Sequence, residues 1–173
     1  GRRERGGSGR GRACGRKLIL ADEPTTASDV TIEAQSLELR KDLTRRRGVA
    51  LIIITHNLGV VARYADRVNV MYAGRLVESG AAMDIYHRPR HPYTRGLLRS
   101  VPRLDQPRRE RLEPIVGQPP DLTRLGKGCA FRPRCRYATD RCAEQAPALE
   151  SVGEGHTAAC WEHRALAQAE AAA

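Results

Sequence analysis

An α/β fold built on a parallel βαβ unit, with an irregular cysteine-rich extension towards the C-terminal end, is predicted by three observations. Two short apolar runs, Leu18–Ala21 and Val49–Ile54, flank a stretch with helical periodicity, which is the pattern of strand, crossover helix and parallel strand. Each run is followed by polar residues capable of chemistry, Asp22-Glu23 after the first and Thr55-His56-Asn57 after the second. Four of the five cysteines lie beyond residue 128, which points to a localised site rather than to general core use.

Composition sets the bounds. At 173 residues there is room for one ordinary domain, or for half a domain and an extension. Hydrophobic residues make up 40%, enough for a core, while aromatic residues make up only 4%. The net charge of +10 and a pI near 10.0 permit nucleic acid, anionic lipid or an acidic partner. No apolar run approaches the roughly 18 residues of a membrane span, and the start does not read as a signal peptide. A cytosolic chain with reduced cysteines is the expectation.

The elements follow in order. Residues 1–16 hold six Arg, one Glu and much Gly without apolar periodicity, a composition of disorder; an RNA-binding Arg/Gly arm is the alternative. Leu18–Ala21 reads as a strand buried on both faces, and Pro24 stops it. Its two terminal acids project in different directions, so they can hold different jobs. One can bind Mg²⁺; the other can orient or deprotonate a water that attacks a phosphate. A solvated strand end is the plain alternative. Ser28 or Asp29 caps a helix with an apolar stripe at Ile32, Leu39 and Leu43, and Arg45, Arg46 and Arg47 suit its C-terminal dipole before Gly48 ends it. The second strand then returns parallel to the first by a right-handed crossover. This topology places His56 beside Asp22 and Glu23, where an imidazole can hydrogen-bond a γ-phosphate.

A short helix at 58–65 precedes two strands, Asp66–Tyr72 and Arg75–Ser79, joined by a tight turn at Ala73-Gly74. Another short helix covers 81–87, and Pro92 starts a further one. Residues 102–127, rich in Pro, Arg and Gly, read as an extended linker. Cys129, Cys135, Cys142 and Cys160 form C-x5-C-x6-C-x17-C, which lacks the close pairs of structural zinc sites. Four thiolates can instead hold an iron–sulfur cluster, with Arg132, Arg134, Arg136 and Arg141 offsetting its negative charge. Zn²⁺ is the alternative occupant. Cys14 reads as an isolated thiol, and the Ala-rich end extends a helix without chemistry.

The string Leu-Ile-Leu-Ala-Asp-Glu-Pro-Thr-Thr-Ala-Ser-Asp at 18–29 resembles the Walker B strand and D-loop of ATP-binding cassette (ABC) ATPases. Ser28 departs from the usual Leu. The resemblance implies that Asp22 holds Mg²⁺ with ATP, that Glu23 is the catalytic base and that Asp29 is the D-loop acid. Ile-Ile-Thr-His-Asn-Leu resembles the switch-histidine segment, which gives His56 its catalytic role. Gly1–Arg5 resembles the tail of the ABC signature, although Gly6–Arg12 lacks the apolar face of the helix that should follow. His91-Pro92-Tyr93-Thr94 resembles the dipeptide, oligopeptide and nickel importer branch. The cysteine segment resembles the C-terminal extension of that branch, some of whose members carry a [4Fe–4S] cluster on these four cysteines.

The resemblance implies four regions: an atypical start at 1–12, a partial ATPase domain at 13–101, the extension at 102–163 and an Ala-rich tail at 164–173. It implies the C-terminal half of an ABC ATPase domain in a peptide importer. The implied partners are a second ATPase subunit, transmembrane permease subunits and, indirectly, a peptide-binding protein, at the cytoplasmic face of the membrane, with no nucleic acid. No G-x-x-x-x-G-K-[ST] phosphate loop occurs in the sequence. The chain alone is therefore expected to bind ATP weakly and to hydrolyse it negligibly. The rival reading is a non-catalytic metal- or iron–sulfur-binding interaction module.

Overall fold

The computed structural model describes residues 17–23, 41–42, 46–100 and 114–171. The Arg/Gly start with Cys14, the Pro24–Asp29 segment with Ser28 and Asp29, most of the predicted crossover helix and residues 102–113 of the predicted linker lie outside these residues. Two compact units result, residues 1–64 and 65–173.

In the first unit β1 (Leu18–Asp22) pairs in parallel with β2 (Ala50–Ile54), from Leu18 opposite Ala50 to Asp22 opposite Ile54. Equal lengths and this register bring the carboxyl ends of both strands to one edge. Residues 46 and 47 are helical, and Gly48 ends that helix at φ +62°, a left-handed value that glycine adopts without a Cβ penalty. Burial differs from the expected strand covered on both faces. Ala21 is buried, whereas Leu18, Leu20, Ile52 and Ile54 are exposed, because these positions share the face of a two-stranded sheet that nothing described packs against. Helix α1 (Leu58–Tyr64) follows.

In the second unit β3 (Arg67–Tyr72) and β4 (Arg75–Ala81) form the predicted hairpin, with Tyr72 opposite Arg75. Ala73 and Gly74 both have positive φ, +48° and +74°, the turn whose twist suits a two-residue hairpin. Helices α2 (Ala82–His87) and α3 (Pro92–Arg99) follow. A short 3-10 turn at Leu122–Arg124 interrupts the segment expected to be an extended linker; beyond it come a second such turn at Arg132–Arg134, α4 (Arg141–Glu144), β5 (Glu150–Gly153), β6 (His156–Ala158) and α5 (His163–Ala171). Strands β5 and β6 enter the hairpin's own sheet, giving the order β3-β4-β6-β5. The extension is thus less irregular than its sequence suggests.

The core of this unit gathers Val70, Tyr72, Val77, Ile85 and Phe131. Phe131 is the sole phenylalanine of the chain and is 3% exposed. Its ring meets Tyr72 edge-on at 5.2 Å, with Tyr93 at 5.5 Å and His91 at 5.7 Å between centroids, within the range where aromatic pairs attract. This cluster ties the cysteine segment to the hairpin and to α3.

Candidate functional site

The first candidate site sits on the edge where β1 and β2 end. Asp22 is the last residue of β1 and is exposed. Glu23 follows with φ +37°, a left-handed conformation that costs a non-glycine residue about 1–3 kcal/mol and concentrates at functional positions. Its backbone N–H donates to the Ile54 carbonyl at 2.9 Å, so the turn is locked to the neighbouring strand. On the other side, Asn57 Oδ1 accepts from the N–H groups of Gly59 and Val60 and caps α1, while Asn57 N–H donates to Thr55 Oγ1. His56 is held between these two fixed neighbours. Its Nδ1 lies 2.9 Å from Glu23 Oε1, with the side chains 86% and 51% exposed respectively. An ion pair or hydrogen bond this exposed adds little stability; what it does is orient the carboxylate while leaving it open to water. The structure therefore brings Glu23 and His56 together and places Asp22 next to them along the strand. Asp29 lies outside the described residues.

The second candidate site belongs to the other unit. Three local pieces deliver four unbridged cysteines. Cys129 and Cys135 flank the Arg132–Arg134 turn, whose backbone closes through Arg132 N–H to Cys129 O and Cys135 N–H to Arg132 O. Cys142 rides on α4, and Cys129 N–H donates to its carbonyl at 2.8 Å. This approach requires Gly128, since a Cβ there would sit 2.4 Å from Cys142 O and 2.5 Å from Ala143 O. Cys160 follows β6, its carbonyl 2.9 Å from His163 Nδ1.

All four cysteines line one small cavity of about 10 Å³, together with His91 and Trp161. Among the described residues no group of three or more His, Cys, Asp or Glu side chains is placed to hold a metal ion. The thiols share a wall without converging on a point. Burial pushes the Cys135 thiol up to about 11 and the Cys160 thiol up to about 12, and raises Cys129 as well. Metal entry would have to displace these protons. Of the four arginines expected to offset cluster charge, Arg132 lines the cavity. Arg134 instead donates to the carbonyls of Ile115 and Val116, and Arg136 lies over Tyr137. Arg141 lies 3.5 Å above the ring of Trp161.

Sequence reasoning gave His91 no role beyond a helix start. It is 2% exposed and caps α3, with Nδ1 accepting from Tyr93 N–H at 3.1 Å. Burial drops its pKa to about 4, so near pH 7 the ring is neutral with its hydrogen on Nε2. It also borders a second cavity of about 150 Å³. Glu78 was missed too. It is fully buried, lies 2.8 Å from His156 Nε2 and accepts from the N–H groups of Arg90 and His91. One carboxylate thus joins β4, β6 and the start of α3. The signal available in the sequence was a lone acid in the hairpin strand, directly after the apolar pair Leu76-Val77.

Residues 77–142 match the family described as the oligopeptide/dipeptide transporter, C-terminal region. The oligopeptide transport ATP-binding protein OppD of Salmonella typhimurium is 52% identical over 149 residues, 86% of this chain and 44% of that protein. The dipeptide transport ATP-binding protein DppD of Bacillus subtilis is 51% identical over 148 residues, 86% of this chain and 44% of that protein. This chain matches the C-terminal part of the peptide-transporter ABC ATPases. It spans less than half the length of these ABC relatives. The family match begins in β4 and ends at Cys142, so the ABC-type C-terminal region takes in Glu78, His91 and three of the four cysteines.

Proposed function

We propose that the chain carries the hydrolytic edge of an ATP-binding subunit that energises import of dipeptides or oligopeptides. The observation behind this reading is the 2.9 Å contact between Glu23 and His56 at the carboxyl edge of a parallel sheet, where open α/β sheets place ligands. Glu23 deprotonates or orients the attacking water, and His56 holds its carboxylate and meets the γ-phosphate. Asp22 would hold Mg²⁺, which supplies charge neutralisation on the phosphates; an exposed carboxylate at a strand end suits a hard cation. Asp29 is assigned to the contact with a second ATPase subunit. The sequence lacks a phosphate-cradling lysine loop, so the complete nucleotide site needs residues that the longer relatives have room to supply. Permease subunits and a peptide-binding protein complete the assembly. No helix among the described residues is long and apolar enough to cross a membrane, so placement at the cytoplasmic face rests on contact with the permease.

The test is ATP turnover by a complete importer whose ATPase subunit carries this sequence. Glu23→Gln is expected to cost about 10²–10⁴-fold, the usual contribution of a general base, with ATP binding retained. Turnover unchanged in that variant would overturn the assignment.

For the extension, the four cysteines are proposed to hold an iron–sulfur cluster, most simply [4Fe–4S]. What supports this reading is the donor chemistry, four thiols on the lining of one cavity that also holds the Arg132 guanidinium and the Glu162 carboxylate; their present positions do not form a metal site. A single zinc would need the sulfurs gathered at about 2.3 Å from one point; no group of three or more His, Cys, Asp or Glu side chains among the described residues is placed to hold a metal ion, so zinc and cluster alike require the thiols to move. Anaerobic loading with iron and sulfide, followed by assay of both and of zinc, decides between cluster and zinc.

A further inference from the structure

We propose that the cavity of about 150 Å³ on the second unit binds a small organic carboxylate with a compact apolar body, the carboxylate being held by Arg75 and Lys127. The whole site lies within residues 65–173. The inference depends neither on the ATPase reading nor on what the four cysteines hold.

Three observations carry it. The first is size and lining. Val77, Phe131 and Ala159 are buried and border the cavity, together with Leu76 and Leu125, which are 42% and 36% exposed. An apolar space of this volume holds a body of about six carbons, the size of benzene, and a ligand there would cover leucine surface now open to water. The second is charge. No Asp or Glu borders the cavity, whereas Arg75 and Lys127 both do. Neither of these two side chains has a hydrogen-bond, ion-pair or ring partner among the described residues. His91, also on the lining, is neutral near pH 7. The two cations are thus the formal charges of the site, and they select an anion. The third is support. Arg75 opens β4 opposite Tyr72, and Ala146 N–H donates to the Lys127 carbonyl at 3.0 Å, so both backbones are fixed and the long side chains supply reach. Apolar walls with a few polar groups at defined places are what small-molecule sites share. An anionic head alone, such as inorganic phosphate, would leave the leucines uncovered. An apolar residue ending in a carboxylate satisfies both parts, and it occurs as a free acid and as the last residue of a peptide.

The probe is N-acetyl-leucine, titrated into the full chain while backbone amide resonances are followed by NMR. Saturable shifts are expected at residues 75–77 and 125–131, which border the cavity. N-acetyl-leucine amide lacks the charge and inorganic phosphate lacks the apolar body; each is expected to bind about tenfold more weakly or worse. Arg75→Gln and Lys127→Gln are each expected to weaken binding about three- to tenfold, the scale of a charge at a wet rim. Gly126 supplies a variant that fills the site without strain, since it borders the cavity and a Cβ there meets nothing within 4 Å. Gly126→Leu is expected to abolish binding with the thermal midpoint unchanged. Leucine and the peptide Ala-Ala-Leu then separate the two sources. Tighter binding of the peptide assigns the site to a peptide's last residue, and leucine binding at least as tightly assigns it to a free acid. The proposal is overturned by the lack of any saturable shift up to about 10 mM N-acetyl-leucine, by amide or phosphate binding as tightly as the acid, or by undiminished binding in Gly126→Leu.

Discussion

At the scale of single residues, the second unit depends on a few buried groups whose removal leaves no substitute. Glu78 has no exposure and three partners. Glu78→Ala would leave two backbone N–H groups and the His156 ring without their acceptor. A loss of about 3–5 kcal/mol is expected in urea unfolding, the range for breaking one side of a buried pair. Phe131→Ala should cost a similar roughly 3–5 kcal/mol, because it removes a packed ring and leaves a cavity. Two titrations follow from the buried groups. The His91 pKa is lowered from 6.5 to about 4, so the unfolded chain binds more protons between those values. Stability from this group is present above about 6.5 and is lost as the pH falls towards 4. The thiols of Cys135 and Cys160 behave in the opposite sense. Their pKa values rise from 9.0 to about 11 and about 12, so the fold favours the neutral form, and stability present below about 9 is lost as the pH rises through those values. Unfolding midpoints of the chain with chelator present, measured across pH 4–12, check both limbs.

At the scale of elements, local chemistry explains what could be read in advance. Strands β1 and β2 were legible because an uninterrupted apolar run followed by charged or polar residues has few other readings. Their parallel pairing then put His56 near Glu23. The hairpin was legible from Ala73-Gly74, and α3 from Pro92. Strands β5 and β6 were not, because residues 150–158 lack apolar alternation. Strand β6 forms by pairing with β4 through Glu78 opposite Ala158 and Ser79 opposite Thr157, a long-range event that no local pattern encodes, and β5 forms by pairing with β6. Glu78 and His91 were opaque for the same reason: each has chemistry set by residues far along the chain. The hairpin turn also suggests an improvement. Ala73 holds φ +48°, which costs a residue with a Cβ about 1–2 kcal/mol. Ala73→Asn, favoured in this turn, is expected to raise stability by up to about 1 kcal/mol in thermal unfolding. Gly128→Ala should do the reverse, since its Cβ meets two carbonyl oxygens with no side chain to give way. Lower iron uptake together with lower stability is the expected result.

At the scale of the whole molecule, the division into residues 1–64 and 65–173 separates the two chemistries. The second unit has its own core, a four-stranded sheet and all four clustered cysteines. Residues 65–173 expressed alone are expected to unfold cooperatively and to keep whatever metal uptake the full chain shows; loss of either would show that the unit depends on its neighbour. The first unit differs. A two-stranded parallel sheet with Leu18, Leu20, Ile52 and Ile54 open on one face is marginal on its own, since parallel sheets are normally covered on both faces. Its function as proposed therefore depends on polypeptide that covers that face, whereas the cysteine site can be studied without it.

Trp161 adds an optical consequence. It is the single tryptophan of the chain, it borders the cavity lined by the four thiols, and its indole is pinned between the Arg141 guanidinium and a hydrogen bond to the Gln145 carbonyl. Its emission on excitation near the red edge of protein absorption thus reports from one place. An iron–sulfur chromophore arriving beside it would quench that light by energy transfer, whereas colourless zinc would leave it bright. The chain therefore carries a built-in fluorescent gauge of what occupies the site, readable in a cuvette without any label.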